Sequence, residues 1–302
     1  MGAGHTHGPP PNAGGRHRWR LLVAFALVAT FFVVELVAAL WSGSLALLSD
    51  AGHMAADVVA LGAALTATTV AARPDTSGRR TYGSYRAEVF ASGFSVLLML
   101  GVAAYVTVEA LSRVGEEVSV QVGPMLVVGA LGLAVNAVCL VLLRAGAQES
   151  LNVKGAYLEV LADAAGSVGV LLAAGLVAAT GSSAWDTAVA LAIGLFVAVR
   201  ALLLGREVLR VLAQHAPTGV DLEQLVADLE AVEGVEDLHD LHAWTLTSGM
   251  DVATAHLVVA DTADPQRVLD LARTMLRETH GIDHATLQVE SRPTSACLEA
   301  TW

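Results

Sequence analysis

The chain is short of charge. Only 15% of its 302 residues are Asp, Glu, Lys or Arg, while 55% are hydrophobic. A soluble domain carries about a quarter charged residues, so the shortage excludes an ordinary cytosolic globule and makes a multi-span membrane protein the natural class. Cysteine is nearly absent: Cys139 lies in an apolar run and Cys297 near the end. That excludes a disulfide framework or a thiolate metal cage. No HExxH occurs, and His53 is the only histidine within an apolar run. An intramembrane zinc protease therefore lacks its second histidine and its general base, and neither an enzymatic activity nor an organic cofactor is expected.

What the chain does have is six apolar blocks: Leu21–Leu40, Ser44–Ala72, Ala87–Leu111, Val122–Leu143, Gly155–Thr180 and Trp185–Leu204. A bilayer needs about 20 such residues per helix, so each block reads as a transmembrane helix. The first is longer than a signal-peptide core and lacks a small-residue cleavage site, so it is expected to stay. Basic residues mark the faces. Arg16, Arg18 and Arg20 precede the first block, and Arg73, Arg79, Arg80 and Arg86 lie between the second and third. Arg144 and Lys154 stand between the fourth and fifth, and Arg200, Arg206 and Arg210 mark the end of the sixth. The alternate links hold only Arg113. The positive-inside rule puts both termini in the cytoplasm, with a bacterial inner membrane as the expected location.

Four segments follow. Residues 1–18 are a Gly- and Pro-rich tail, expected to be disordered, whose His5, His7 and His17 offer weak metal contacts. Residues 19–213 form the membrane domain, 217–292 a soluble domain after the Pro217 hinge, and 293–302 a terminal tail. From Pro217 onward there are 16 Asp or Glu against 4 Arg, net −12, which is the formal net charge of the whole chain. That acidity argues against nucleic acid and anionic lipid as partners of the tail and suits a domain that attracts cations. Within it, Asp221–Glu233 has helical spacing, "VEDLHDLHAWTLTSG" and "VATAHLVVAD" read as strands, Pro265–Thr279 is a helix and "DHATLQVES" a strand. The fold class expected is therefore an α-helical membrane protein of six transmembrane helices followed by a cytoplasmic ferredoxin-like α/β domain.

The second block contains "LLSDAGHMAADVVAL", where charge is most costly. His53 and Asp57 stand at i and i+4, within about 40° on one helix face and ~6 Å apart along it, with Asp50 near the same stripe. The fifth block repeats the spacing with Glu159 and Asp163. Ionisable groups in a span face the bundle interior and pair with something. Three carboxylates and one imidazole cannot neutralise each other, but a divalent cation offsets most of their charge. His53, Asp57, Glu159 and Asp163 make a tetrahedral N/O set of the kind Zn²⁺ favours. Ligation needs a neutral imidazole and ionised carboxylates, so metal binding displaces protons. Glu35 and Glu109 read as interfacial or cavity-facing, Glu88 as locally paired, and Asn136 as an interhelical hydrogen-bonder. Ala162, Ala164, Ala165, Gly166 and Gly169 allow close helix contact along the fifth block.

"SGSLALLSDAGHMAADVVAL", "RTYGSYRAEV", "NVKGAYLEVLADAAGSVGVLL" and "HDLHAWTLTSG" together resemble the cation diffusion facilitator family of divalent-metal transporters, over residues 17–290. The resemblance implies a homodimer in membrane lipid that exports Zn²⁺, with Co²⁺ or Cd²⁺ as further cargo, by antiport with protons. It carries His53, Asp57 and Asp163 over as transport ligands. Glu159 stands where many zinc members have histidine; that makes the site harder and more negative and opens an alternative, a broader Mn²⁺/Fe²⁺ exporter. Arg80 and Ser84 replace the histidines of a loop site found in some members. In the tail, His239, His256 and Glu290 fall at positions of a regulatory metal site; Gln288 completes the last-strand pair, and His242 and His284 are possible substitutes. A non-transporting membrane metal sensor and a channel with the same site but no proton coupling are the remaining rivals. Metal binding without flux would distinguish the sensor.

Overall fold

A computed structural model of the chain describes residues 13–71, 82, 86–113, 119–147, 151–247 and 249–291. Six long helices come first: α1 (Ala13–Ser42), α2 (Leu45–Ala71), α3 (Ala87–Ser112), α4 (Val122–Ala147), α5 (Leu151–Thr180) and α6 (Ala184–Leu212). Each has 26 to 30 residues, about 40–45 Å at 1.5 Å per residue, enough to cross a ~30 Å hydrocarbon layer. Among the described residues, α1, α3, α4, α5 and α6 are both long and apolar enough to cross a membrane. The remaining helix, α2, has the length and carries the polar stripe. Large apolar side chains such as Leu40, Val108, Val141, Leu172 and Leu195 are exposed on the outside, the arrangement a lipid solvent demands.

α1 begins at Ala13, within the segment that composition reads as a tail. Once a span has nucleated a helix, each added residue costs little and gains a hydrogen bond, so the helix extends past its apolar block.

The chain divides into two compact units, residues 1–62 with 94–203 and residues 63–93 with 204–302. In the first, α4 packs against α5 and α1, around a core that includes Phe31, Leu45, Met54, Val106, Met125 and Val170. Small residues bring backbones close, as their spacing on α5 predicts. An ideal Cβ on Gly166 would stand 2.3 Å from Asp50 Oδ1, and one on Gly132 would stand 2.7 Å from the Phe31 ring. Gly166 therefore lets α5 approach the polar stripe of α2. Asn136 makes the interhelical contact expected of it: its Nδ2 donates to Ser167 Oγ at 3.5 Å.

The second unit contains the tail in the expected order: α7 (Leu222–Glu230), β1 (Val235–Thr247), β2 (Met250–Val259), α8 (Pro265–His280) and β3 (His284–Glu290). Asp221 caps α7 by accepting from the amide of Glu223 at 3.0 Å. Asp264 caps α8, with Pro at its first turn and Gly281 ending it at φ +68°, so that start and stop both follow from local chemistry. β1 runs antiparallel and β3 parallel to the central β2. Leu225 and Leu229 of α7 and Val268, Ala272 and Leu276 of α8 pack on Ala253, Ala255, Leu257 and Val259 of β2. Both helices cover one sheet face. Alternation along the strand sends Thr254 and His256 to the other.

Gly166→Ala is expected to lower the thermal midpoint of the detergent-solubilised chain, at a cost of about 1–3 kcal/mol from overpacking. Gly175→Ala on the same helix meets nothing within 4 Å and is expected to be neutral or stabilising by up to about 1 kcal/mol. Equal effects of the two substitutions on the melting curve would refute the close approach.

Candidate metal centre

The site depends on where α2 starts. Its first amides are held by a carboxylate from another helix: Asp186 of α6, fully buried, accepts from Leu45 N at 2.8 Å, Ala46 N at 3.2 Å and the Ser44 hydroxyl at 2.6 Å. An anion at a helix N-terminus satisfies orphan amides and the helix dipole together. Arg113 donates to the carbonyl of Gly43 at 2.8 Å and pairs with Glu109 at 3.1 Å, which gives Glu109 a local partner. α2 is thereby fixed in height against α6.

One to three turns into α2, the stripe meets α5. His53 Nε2 lies 3.5 Å from Asp57 Oδ2 and 3.5 Å from Asp163 Oδ1. One ligand atom from each of these three residues lies within 4.8 Å of the others. His53 is 2% and Asp163 3% exposed. Asp57 Oδ2 and Asp163 Oδ1 are buried without a hydrogen-bond partner. Such oxygens are costly in a protein interior unless something occupies the space between them. A borderline divalent ion bound by imidazole and carboxylate fits this donor set.

Glu159, the fourth expected ligand, is placed differently. Its carboxylate takes a hydrogen bond from Arg200 Nη2 of α6, and Arg200 Nη1 lies 2.9 Å from His53 Nε2. The guanidinium thus spans Glu159 and His53. Phe196, one turn earlier on α6, has its ring centroid 5.8 Å from this guanidinium and meets the His53 ring edge-on. Deeper in the unit, Glu35 of α1 and Asp50 of α2 are almost fully buried beside each other; Glu35 Oε2 and Asp50 Oδ1 have no hydrogen-bond partner. Cys139 is a buried free thiol.

The tail carries a second cluster on the sheet face away from its helices. Register sets His239 of β1 opposite His256 of β2, and His256 opposite Gln288 of β3. His239 Nε2 is 3.6 Å from Glu290 Oε2, and His256 Nδ1 is 3.3 Å from Glu290 Oε1. These three residues form the second group that could hold a metal. Gln288 Nε2 donates to Glu290 Oε1 at 2.6 Å, so it orients the carboxylate. The two alternatives lie outside the group: His242 pairs with Asp240 at 3.1 Å, and the His284 ring packs against Tyr82. The bulge in β1 places Asp240 at φ +55°, a conformation Asp tolerates better than most side chains. Its Oδ2 comes within 3.8 Å of His256 Nε2. Arg80, Ser84, His5 and His7 lie outside the described residues.

A family model for the cation efflux transmembrane domain matches residues 21–213, and one for the cation efflux protein cytoplasmic domain matches residues 217–292. The chain belongs to the cation efflux family. Among the relatives of this family member, the metal cation efflux system protein CzcD of Cupriavidus metallidurans is 42% identical over 97% of this chain and 92% of its own length. The zinc transporter ZitB of Escherichia coli K12 is 33% identical, covering 97% and 94%. A cadmium, cobalt and zinc/H(+)-K(+) antiporter of Bacillus subtilis is 30% identical, covering 95% and 92%. A solved metal-bound C-terminal domain of the CzcD transporter is 39% identical, covers 24% of this chain and 99% of that one, and superposes with a TM-score of 0.23.

Three residues of this cation efflux protein escape a reading of spacing alone. Asp186 sits at the start of a span and looks interfacial. Arg200 looks like one more positive-inside marker. Asp240 joins its cluster only through a bulge. Each depends on packing between segments distant in sequence, for which spacing holds no signal. Asp186→Asn is expected to destabilise the chain by about 1.5–3 kcal/mol, the range for a hydrogen bond to a charged group. Thermal unfolding in detergent measures it, and an unchanged midpoint would refute the cap.

Proposed function

We propose that the chain exports divalent cations, Zn²⁺ first and Co²⁺ or Cd²⁺ next, in exchange for protons. It acts as a homodimer in the bacterial inner membrane, with both termini cytoplasmic. The observation that carries the reading is the convergence of His53, Asp57 and Asp163 from two membrane helices on one buried point. The names of its relatives CzcD, ZitB and the cadmium, cobalt and zinc antiporter point the same way. The cytoplasmic-domain match supports pairing of two copies.

The chemistry follows from the ligands. A neutral His53 offers one nitrogen, and Asp57 and Asp163 offer oxygens with nothing else to bond; Glu159 adds a third carboxylate at the rim. One nitrogen with carboxylates is acceptable to Zn²⁺ and less exclusive than two nitrogens. Protons and metal compete for the same lone pairs, so loading the ion releases protons and unloading it takes them up. The tail cluster of His239, His256 and Glu290, with Asp240 beside it, fits a regulatory ion held from the cytoplasm. His239 Nε2 is buried with no hydrogen-bond partner, which suits a metal-ligand atom.

In proteoliposomes with an imposed pH gradient, Zn²⁺ flux is expected to follow the proton gradient. Asp163→Ala should reduce it to background, and Glu159→His should shift preference toward Zn²⁺ over Mn²⁺. Absence of flux for Zn²⁺, Co²⁺, Cd²⁺ and Mn²⁺ in folded protein would overturn the carrier reading, and flux indifferent to pH would replace it with a channel. His239→Ala combined with His256→Ala is expected to remove bound Zn²⁺ in equilibrium dialysis while leaving the Asp163-dependent ion. Unchanged stoichiometry would remove the tail site.

A further inference from the structure

Arg200 stands where the cargo should go. Its Nη1 lies 2.9 Å from His53 Nε2, the same atom that lies 3.5 Å from both Asp57 and Asp163. A neutral imidazole has one ring lone pair. If Arg200 donates to it, a metal ion cannot take it. Arg200 Nη2 also holds Glu159, so the guanidinium engages two of the four expected ligands at once. Both contacts come from α6, a helix that contributes none of those four.

We propose that Arg200 is the resident counter-cation of the transport site: it occupies His53 and Glu159 when no metal is bound and leaves His53 as the divalent ion arrives. The proposal rests on the transport-site reading above. Charge supports it. Asp57, Glu159 and Asp163 bring three carboxylates together, and a fixed cation beside them balances charge that protons alone would otherwise have to balance when cargo is absent. An arginine provides one that never loses its charge and whose planar fork suits two acceptors. Geometry gives it somewhere to go. Glu159 is the most exposed of the ligands, with its side chain 46% accessible against 4% for Asp163. Phe196 offers its ring to the guanidinium from one turn away on the same helix. Arg200 can therefore release the buried His53 and stay on Glu159 and Phe196 at the rim. Metal and guanidinium then alternate on one lone pair, and the apparent affinity for metal is lowered by the fraction of molecules in which Arg200 holds it.

The test is equilibrium Zn²⁺ binding to the purified full chain, against a chromophoric chelator, for wild type, Arg200→Met and Arg200→Lys. Each is paired with its Asp163→Ala counterpart, which isolates the intramembrane ion from the tail ion. Arg200→Met is expected to bind the Asp163-dependent ion about tenfold more tightly, since it removes the competitor. Without metal it should melt below wild type, and Zn²⁺ should raise its melting temperature by more than it raises that of wild type. Arg200→Lys, which keeps the charge but cannot span both acceptors, should fall between the two, and it carries the test if the methionine variant does not fold. An Asp163-dependent ion bound equally or more weakly in both variants would overturn the proposal and make Arg200 a support for the ligands. If no variant binds an Asp163-dependent ion, the transport site itself fails, a result distinct from failure of the arginine's role alone.

Discussion

A buried polar group in a membrane domain must find its partner inside the protein, and the arrangement of the first unit follows from that constraint. Lipid cannot solvate an amide or a carboxylate, so each one fixes where a neighbouring helix must lie. Asp186 satisfies the first amides of α2 from α6, which couples the height of one helix to the other. Gly166 gives up its side chain so that α5 can pass beside Asp50. Given those two contacts, His53 and Asp57 on α2 face Asp163 on α5 because helix periodicity leaves them no other face. The candidate metal site is thus built from outside inward, by a cap and a close approach that come from residues other than the three that converge on it.

The tail solves a different problem with the same residue types. In water its charges need no partner, and most of its acidic side chains among the described residues lie on the surface. The exceptions are ordered by sheet register. Leu225, Leu229, Val268, Ala272 and Leu276 bind the helices to one face of the sheet, which frees the other face for His239, His256 and Glu290. Cross-strand neighbours stand about 5 Å apart, the spacing at which two imidazoles and a carboxylate can share an ion. The bulge that brings Asp240 to this edge is a local departure from regular pairing, found where strands commonly re-aim a side chain.

Much of this was legible in the sequence. The i, i+4 pairs His53/Asp57 and Glu159/Asp163 mark the stripes, because helix geometry converts that spacing into a shared face without tertiary knowledge. The tail's element order follows from period-2 and period-3.6 patterns, and α8 is bounded by Asp264, Pro265 and Gly281, each acting within one turn. Glu159 is the instructive case. Spacing places it on the ligand stripe, and the structure keeps it there, but its carboxylate is engaged by Arg200. That interaction joins α5 to α6 across 41 positions. No window along the chain contains both residues, so periodicity cannot report it. The same limit hides Asp186, whose partners lie about 140 positions away.

Exposure grades the four expected ligands. His53 and Asp163 are nearly sealed, the Asp57 side chain is 22% accessible, and Glu159 is more open still. The two open residues share more than their exposure. Asp57 lies on the side of His53 toward the Ala71 end of α2, and Glu159 on the side of Asp163 toward the Leu151 start of α5. Arg200 likewise lies toward the Leu212 end of α6. These three helix ends adjoin the segments that carry Arg73, Arg79, Arg80 and Arg86, Arg144 and Lys154, and Arg206 and Arg210, the segments the charge bias assigns to the cytoplasm. The sealed end instead points toward Asp186 and the sparsely charged links. On the proposed reading, Glu159 and Asp57 are the more accessible of the four expected ligands, and His53 and Asp163 the least. On that reading, the accessible carboxylates attract a cation, and the buried nitrogen, held by Arg200, is the ligand on which ions are told apart.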